Sequence, residues 1–231
     1  MTGGVSWVLL DVGNVVISFD HSTVAARLQA ESRPRVGQLA AEPTAQRGAI
    51  HRFIFASSVA GSPNEALDRG TRDLEWLREQ VCRKFDVIIE AALFEEIWTS
   101  IFAADVNDAV VTWASAMRSA GIRVAACSNT NGAHWTFLRH RHSRFHDLMD
   151  AEPHFLSFEM GQGKGDPGFF ERVIAQTQQP AWRHLLLDDK PENITAARAA
   201  GLRAQLYDPL QPPASLHSAT TLLHGAGPHG E

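Results

Sequence analysis

The 231-residue chain lacks the features that define several protein classes. Its only cysteines, Cys82 and Cys127, do not have the CxxC spacing of zinc ribbons, so we expect reduced thiols rather than a disulfide framework. It has no uninterrupted apolar stretch of about 18 residues and no basic start followed by an apolar run. We therefore predict no membrane span or signal peptide, and we expect a cytoplasmic protein.

Positive charge is also scarce. The chain has 21 Lys and Arg against 26 Asp and Glu, a net charge of −5, which argues against a broad basic surface for nucleic acid or an anionic membrane. A small anion site remains possible, because it needs only a few local positive groups. With 44% hydrophobic and 20% charged residues, the composition is that of an ordinary globular protein.

Four short apolar runs recur along the chain, and each ends in polar residues. They are SWVLLD (6–11), IRVAACSN (122–129), HLLLDD (184–189) and RAQLY (203–207). Helical patterns lie between them, including residues 105–121 and 191–201, which both end on glycine. Strands that alternate with helices predict an α/β fold with a Rossmann-like parallel sheet. In such folds, ligands bind beyond the carboxyl ends of the strands.

Residues 18–104 break this alternation. They contain no convincing strand and several helical patterns, notably at 71–85 and 87–102. We predict that this interval is a helical cap domain inserted after the first strand. The core domain would then comprise residues 1–17 and 105–231.

The first apolar run continues into Gly13-Asn14, and this pair allows two interpretations. Gly-Asn between apolar runs is a signal for a β-hairpin. Alternatively, the run is a buried strand that delivers Asp11 to the rim of an active site. The later strand ends favour the second interpretation, because a hairpin would leave their polar residues unexplained.

The strand ends and one glycine-rich loop supply the groups that phosphoryl transfer needs. Asp11 can attack phosphorus in line and form an aspartyl-phosphate. Lys164 and the Ser128 hydroxyl can balance the charge on the transferred group. Asp188 and Asp189 are adjacent carboxylates, which repel each other unless a cation is near. We therefore expect Asp11 and Asp189 to hold Mg²⁺, which prefers oxygen ligands.

The same segments resemble the motifs of a known family. In this order, LLDVGNVV, ACSNTN, GQGKGDPGFF and LLLDDKPENITAARAAGL resemble the haloacid dehalogenase superfamily, in its phosphatase branch with a helical cap. The nearest group is the bacterial sugar-phosphate phosphatases typified by α-D-glucose-1-phosphate phosphatase, and DRGT at 68–71 is similar to a cap motif of that group. The resemblance covers the core from Val8 to about Tyr207. It implies a Mg²⁺-dependent phosphatase that acts on a small phosphorylated metabolite, such as a sugar phosphate. The sequence leaves open whether the protein is a monomer or a homodimer.

The resemblance also implies a role for each matching residue. Asp11 would be the nucleophile, and Lys164 would orient both the nucleophile and the phosphoryl group. The implied phosphate contacts are Ser128, Asn129 and Lys164. The implied metal ligands are Asp11, Gly13 through its backbone carbonyl, Asp189, and Asp188 directly or through water. Asn193 would either brace the loop after Asp189 or cap a helix.

One departure from the family pattern concerns the leaving-group proton. Many members have Asp two residues after the nucleophile as the acid and base, whereas this chain has Gly13. General acid catalysis contributes about 10²- to 10⁴-fold, so its loss matters. Either the leaving group is a good one, as in an anomeric sugar phosphate, or the cap supplies an acid, for which His21 and His51 are candidates.

A second departure lies beside the motif lysine. Gly165 stands where the family usually has Pro, which makes the loop around Lys164 more flexible. We expect Pro167 to start the following helix, with Asp166 as its N-cap.

Two other functions remain open at this point. A haloacid dehalogenase would use Asp11 to attack carbon without a metal, although the paired carboxylates Asp188 and Asp189 argue against it. A catalytically weakened member would bind a phosphorylated ligand or a protein partner, and Gly13 and Gly165 motivate that alternative.

Overall fold

The fold is centred on one parallel sheet. A computed structural model describes residues 4–34, 43–56, 61–102, 105–150 and 153–224. The strands are β1 Trp7–Leu10, β2 Arg33–Pro34, β3 Val87–Ile88, β4 Arg123–Ser128, β5 Phe155–Leu156, β6 His184–Asp188 and β7 Arg203–Leu206. Five of them form the sheet in the order β5-β4-β1-β6-β7, and every neighbouring pair is parallel. The α/β prediction with a Rossmann-like core is confirmed.

Helices fill the intervals between the strands. They are α1 His21–Glu31, α2 Pro43–Phe55, α3 Pro63–Asp68, α4 Leu74–Phe85, α5 Ala91–Thr99, α6 Asp108–Ser119, α7 Gly132–Arg141, α8 Ser143–Leu148, α9 Ser157–Met160, α10 Phe169–Thr177, α11 Pro191–Ala199 and α12 Pro212–Leu223. None of the helices in the described part of the chain combines the length and apolarity that a membrane span requires.

Strand β1 is buried on both faces of the sheet. Successive side chains of a strand point to opposite faces, and here Val8 and Leu10 pack into one apolar cluster while Trp7 and Leu9 pack into another. This double burial explains why the run is continuously apolar rather than alternating. It also places the residue after β1 at the carboxyl edge of the sheet, between the ends of β4 and β6.

The Gly13-Asn14 pair is not a hairpin turn. Strand β1 pairs in parallel with β4 and β6, so the chain does not return beside it. A tight turn follows the strand instead: the N–H groups of Val16 and Ile17 both donate to the Val12 carbonyl at 3.0 Å. Asn14 takes a left-handed conformation in this turn, with φ of 57°. The interpretation of this run as a buried parallel strand is confirmed.

The interval predicted as a cap, residues 18–104, holds helices α1 to α5. The expectation that it contains no strand is wrong, because β2 and β3 form a short antiparallel pair. The helix predicted over 87–102 is also shorter: Val87 and Ile88 belong to β3, and α5 begins only at Ala91. The division into a core and a cap domain stays a prediction.

Candidate active site

The predicted nucleophile lies at the edge of the sheet with two donors on it. Asp11 directly follows β1 and is only 6% exposed. The Lys164 ammonium lies 2.8 Å from Asp11 Oδ1, and the Ser128 hydroxyl donates to the same oxygen at 3.0 Å. The fold therefore brings together three predicted residues that are far apart in the sequence.

Lys164 is buried between two carboxylates. It is 1% exposed, and its ammonium lies 2.5 Å from Asp188 Oδ2 as well as beside Asp11. Burial disfavours the charged ammonium, but Asp11 and Asp188 outweigh this effect and raise the pKa of Lys164 above its usual range. Lys164 therefore carries its positive charge throughout the physiological pH range.

Three donor groups bind the carboxylate of Asp188. The Asn193 amide donates to both of its oxygens, at 2.9 and 3.1 Å, and the Lys190 backbone N–H donates to Oδ1 at 2.9 Å. Together with Lys164, these bonds fix the carboxylate as an anchor for the ammonium. Of the two roles open for Asn193, the structure thus places it as a brace on Asp188.

The acidic cluster has an unpaired oxygen. Asp11, Asp188 and Asp189 can bring one carboxylate oxygen each within 4.8 Å of one another. In the described part of the chain, Asp189 Oδ1 is buried without a hydrogen-bond partner, while its Oδ2 accepts from the Asn14 amide at 3.0 Å. A buried carboxylate oxygen without a partner is costly, and a hard divalent cation would satisfy it. These residues therefore fit Mg²⁺.

Electrostatics support the same conclusion. Burial is the largest influence on Asp11 and raises its pKa to about 6, against the lowering effect of Lys164. The neighbouring carboxylates Asp188 and Asp189 raise it further. Burial and the neighbouring carboxylates thus both work against ionisation of Asp11, and a second positive charge nearby would favour its carboxylate form.

Gly13 is required by its surroundings. A β-carbon at this position would lie 2.4 Å from Cε1 of Phe19. The Phe19 ring is itself packed, with its centroid 4.8 Å from that of His21 and 6.5 Å from that of Phe102. An aromatic ring therefore fills the space that an acidic side chain at position 13 would need.

The loop around Lys164 is closed by its own polar groups. Asp166 N–H donates to the Gly163 carbonyl at 2.9 Å, and Gly163 N–H donates to Asp166 Oδ2 at 2.7 Å. Lys164 N–H donates to Asn129 Oδ1 at 2.9 Å. Asn129 thus holds the loop through its side chain, and its predicted contact with phosphate stays a prediction.

The expectation that Pro167 starts the following helix is wrong. Helix α10 begins at Phe169, and Gly168 precedes it with φ of 88°. Asp166 is not the N-cap of this helix, because its carboxylate bonds to Gly163 N–H and to the guanidinium of Arg69. The sequence pattern could not predict the contact between Asp166 and Arg69, because the two residues are 97 positions apart.

A pocket of about 420 Å³ opens between these strand ends and the interval predicted as a cap. Its floor includes Gly13, Ser128 and Asn129. One wall is polar and is formed by Ser62, Asn64, Glu65, Asp68 and Arg69. Another wall is largely aromatic and is formed by Phe19, His21, Phe55 and Phe102. The volume is within the range for small-molecule sites.

The polar wall contains a half-buried carboxyl group, Asp68, for which the sequence suggests no role beyond its place in DRGT. Asp68 accepts from the Asn64 amide at 2.8 Å and from the Asn131 amide at 3.0 Å. Burial raises its pKa to about 6, which exceeds the lowering effect of the two amides. Asn131 is also the N-cap of α7, so this contact joins α3 to the helix that follows β4.

Of the two histidines considered as acids, His21 lines the pocket and His51 does not. His21 lines the pocket, where its ring stacks on Phe55 at a centroid distance of 4.2 Å. Burial lowers the pKa of His21 to about 4, so the imidazole is neutral at physiological pH. His51 contacts the same Phe55 ring at 5.1 Å.

Solved structures with a similar fold are known. A HAD (haloacid dehalogenase) family enzyme of Bacteroides thetaiotaomicron, crystallised with magnesium and inorganic phosphate, matches with a TM-score of 0.71 at 16% identity, over 89% of this chain and 95% of that one. The chain has a haloacid dehalogenase-like fold. An L-2-haloacid dehalogenase of Xanthobacter autotrophicus also has this fold, with a TM-score of 0.57 at 13% identity, over 88% of this chain and 77% of that one.

Sequence comparison also finds curated proteins that are similar to this chain. Enolase-phosphatase E1 of Chaetomium globosum is 28% identical over 179 residues, which cover 72% of each protein. No protein-family model matches the sequence. Because the fold occurs both in an enzyme crystallised with phosphate and in a dehalogenase, the chemistry has to be argued from the site itself.

Proposed function

We propose that the protein is a Mg²⁺-dependent phosphatase that hydrolyses a small phosphorylated metabolite. The observation that carries this proposal is the unpaired, buried oxygen of Asp189 within a cluster of three carboxylates. Attack on carbon by a dehalogenase needs no such cation site. The similarity to enolase-phosphatase E1 supports the phosphatase over the dehalogenase.

In the proposed mechanism, Asp11 attacks the phosphorus of the bound ester in line. The bond from phosphorus to the leaving group breaks, and an aspartyl-phosphate forms on Asp11. Water then attacks phosphorus, the bond to the Asp11 oxygen breaks, and inorganic phosphate leaves. The leaving-group oxygen takes a proton from solvent, and the attacking water returns one to solvent, so the protons balance. One hard displacement is thereby divided into two easier ones.

The neighbouring residues hold the reacting groups in place. Lys164 keeps Asp11 oriented and places a positive charge beside the phosphoryl group. The Ser128 hydroxyl and Asn129 contact the phosphate oxygens. Mg²⁺, when bound, would be held by Asp11, Asp189 and the Gly13 carbonyl, and would supply the charge that offsets the phosphate. Asp188, which accepts hydrogen bonds from three groups, anchors Lys164 and would lie close to the metal.

We further propose that the substrate is a sugar phosphate. The pocket is lined both by the polar groups of Asn64, Glu65 and Asp68 and by aromatic rings, a combination suited to the hydroxyl groups and the apolar ring face of a sugar. The absence of an acid at position 13 favours a leaving group that departs readily, as from an anomeric phosphate. Cytoplasmic location and a monomeric or homodimeric state remain predictions.

Metal dependence is the first test. We expect purified protein to release phosphate from members of a panel of phosphorylated metabolites in the presence of Mg²⁺. Addition of EDTA should abolish release, and excess Mg²⁺ should restore it, because Asp189 and Asp11 then regain their cation. Phosphate release measured with and without EDTA checks this result.

Two outcomes would contradict the proposal. Activity on a 2-haloacid that survives EDTA, with none on phosphate esters, would establish a dehalogenase. Absence of turnover on every ester, with phosphate still binding in calorimetry, would establish a binding protein.

Leaving-group chemistry gives a second test. Since Phe19 occupies the space of the missing acid, we expect kcat/KM to rise by about 10²-fold or more from alkyl phosphates to nitrophenyl phosphate. Steady-state rates across a series of esters with graded leaving-group pKa measure this dependence. A flat dependence would show that a pocket residue donates the proton after all.

A further inference from the structure

Arg69, the residue after α3, is bound to the loop that carries Lys164. Its guanidinium holds both carboxylate oxygens of Asp166: Nη2 donates to Oδ1 at 2.9 Å, and Nη1 makes a short contact with Oδ2. Arg69 also pairs with Glu65 on its own helix at 3.0 Å. The fork geometry fixes the direction of the Asp166 carboxylate as well as its charge.

Asp166 in turn closes the turn that contains Lys164. Its carboxylate accepts from Gly163 N–H, and its own N–H donates to the Gly163 carbonyl, so residues 163–166 form one hydrogen-bonded turn. Gly165 is the third residue of this turn, and a β-carbon there would have no heavy atom within 4 Å. Neither side-chain packing nor a proline ring therefore restrains the backbone at this point.

The chain just after α3 packs closely against helix α9. A β-carbon on Gly70 would lie 2.1 Å from the Phe158 carbonyl oxygen, so the two backbones are in close contact. Gly70 has φ of 63°, which glycine adopts at little cost. Asp68 accepts a hydrogen bond from Asn131, the N-cap of α7. Arg69 thus lies between two contacts that hold its backbone against the sheet end.

We propose that Arg69 is a positioning residue that acts through Asp166 to hold Lys164 in place beside Asp11. The inference rests on the proposed phosphatase function. It adds that the position of Lys164 depends on the residue that follows helix α3. Because Gly165 has neither a packed side chain nor a proline ring, the guanidinium adds a restraint on the loop from outside it. Lys164 therefore keeps its position beside Asp11 only while α3 stays packed against the core.

The proposal predicts a specific pattern of kinetic effects. The Arg69 and Asp166 side chains are 33% and 26% exposed, so their ion pair contributes little to stability. Misplacement of a catalytic group by about 1 Å costs as much as 10²-fold in rate. Arg69→Ala is therefore expected to lower kcat by about 10- to 10²-fold, with KM and the melting temperature close to those of the wild type.

Arg72→Ala is the matched control. Arg72 is an exposed arginine three residues away, and its guanidinium lies over the Trp76 ring rather than on the loop. The Arg72→Ala substitution removes one positive charge from the same segment and should leave kcat unchanged. Arg69→Lys keeps the charge without the fork, so we expect an intermediate kcat.

Hydrogen exchange tests the inference without relying on activity. The amides of Gly163, Lys164 and Asp166 are all hydrogen-bonded. They should exchange faster in Arg69→Ala than in wild type or Arg72→Ala, measured by mass spectrometry on the full chain. Should the wild type release no phosphate from any ester, the proposed function fails, and this measurement still decides whether Arg69 holds the loop.

Two results would overturn the proposal. One is exchange at residues 163–166 that is the same in Arg69→Ala and Arg72→Ala. The other is a loss confined to KM that grows with the size of the leaving group, which would show that Arg69 binds the substrate directly from the pocket wall.

Discussion

Asp11→Asn is expected to reduce phosphate release by about 10⁴-fold or more. An amide oxygen does not form the acyl-phosphate that the proposed mechanism requires. The exchange is nearly isosteric, and Asn can still accept the Ser128 hydrogen bond at Oδ1. Loss of one of three clustered carboxylates also relieves repulsion with Asp188 and Asp189, so the variant should fold.

Steady-state phosphate release in Mg²⁺ measures this loss, and rapid-quench mass spectrometry tests its cause. The wild type should accumulate a covalent phosphoryl adduct on the peptide that contains Asp11, and the variant should not. Asp147→Asn, at an exposed site on α8, is the control and should keep the full rate. A fully active Asp11→Asn would show that another residue, or water, attacks the phosphorus.

Lys164→Met is expected to impair both activity and stability. The ammonium is buried between Asp11 and Asp188, so its removal leaves two carboxylates facing each other without a cation. Removal of one partner from a buried ion pair costs about 3–5 kcal/mol of unfolding free energy. Loss of a charge aimed at the reacting group lowers kcat by about 10²- to 10³-fold.

Urea denaturation in EDTA measures the stability change, with Lys84→Met on the exposed face of α4 as the control. The double variant Lys164→Met/Asp188→Asn separates the two effects. It should regain part of the unfolding free energy, because one buried carboxylate is neutralised, while its activity stays low. An unfolding free energy equal to that of the wild type in Lys164→Met would contradict the buried ion pair.

The sequence predicts the core of this fold well because apolar runs and parallel strands are closely linked. A strand covered on both faces must be apolar throughout, so SWVLLD and HLLLDD could be assigned without a structure. Polar residues that end such runs necessarily meet at one edge of the sheet. Asp11, Ser128 and Asp188 were therefore expected to be neighbours, and they are.

Elements set by tertiary contacts were not predictable in this way. Strands β2, β3 and β5 have two residues each, too few for any periodicity to register. The start of α10 is set by the bonds of Asp166 to Gly163 and Arg69 rather than by Pro167.

The same limit applies to the site. Asn14 lies 175 residues from Asp189, and Arg69 lies 97 residues from Asp166. No local pattern relates such pairs, and only the folded chain brings their side chains together. Residue types at strand ends reveal the reacting groups, whereas the residues that hold them in place are found by geometry.

The contact between Phe19 and Gly13 limits how this chain can change. A carboxylate introduced at position 13 alone collides with the ring, and a smaller residue at position 19 alone opens a hole in the aromatic wall with nothing to fill it. Each single step is unfavourable, and only both together make room for an acid. The two positions are therefore coupled: an acidic residue at position 13 needs a smaller residue at position 19, and neither substitution is favourable without the other.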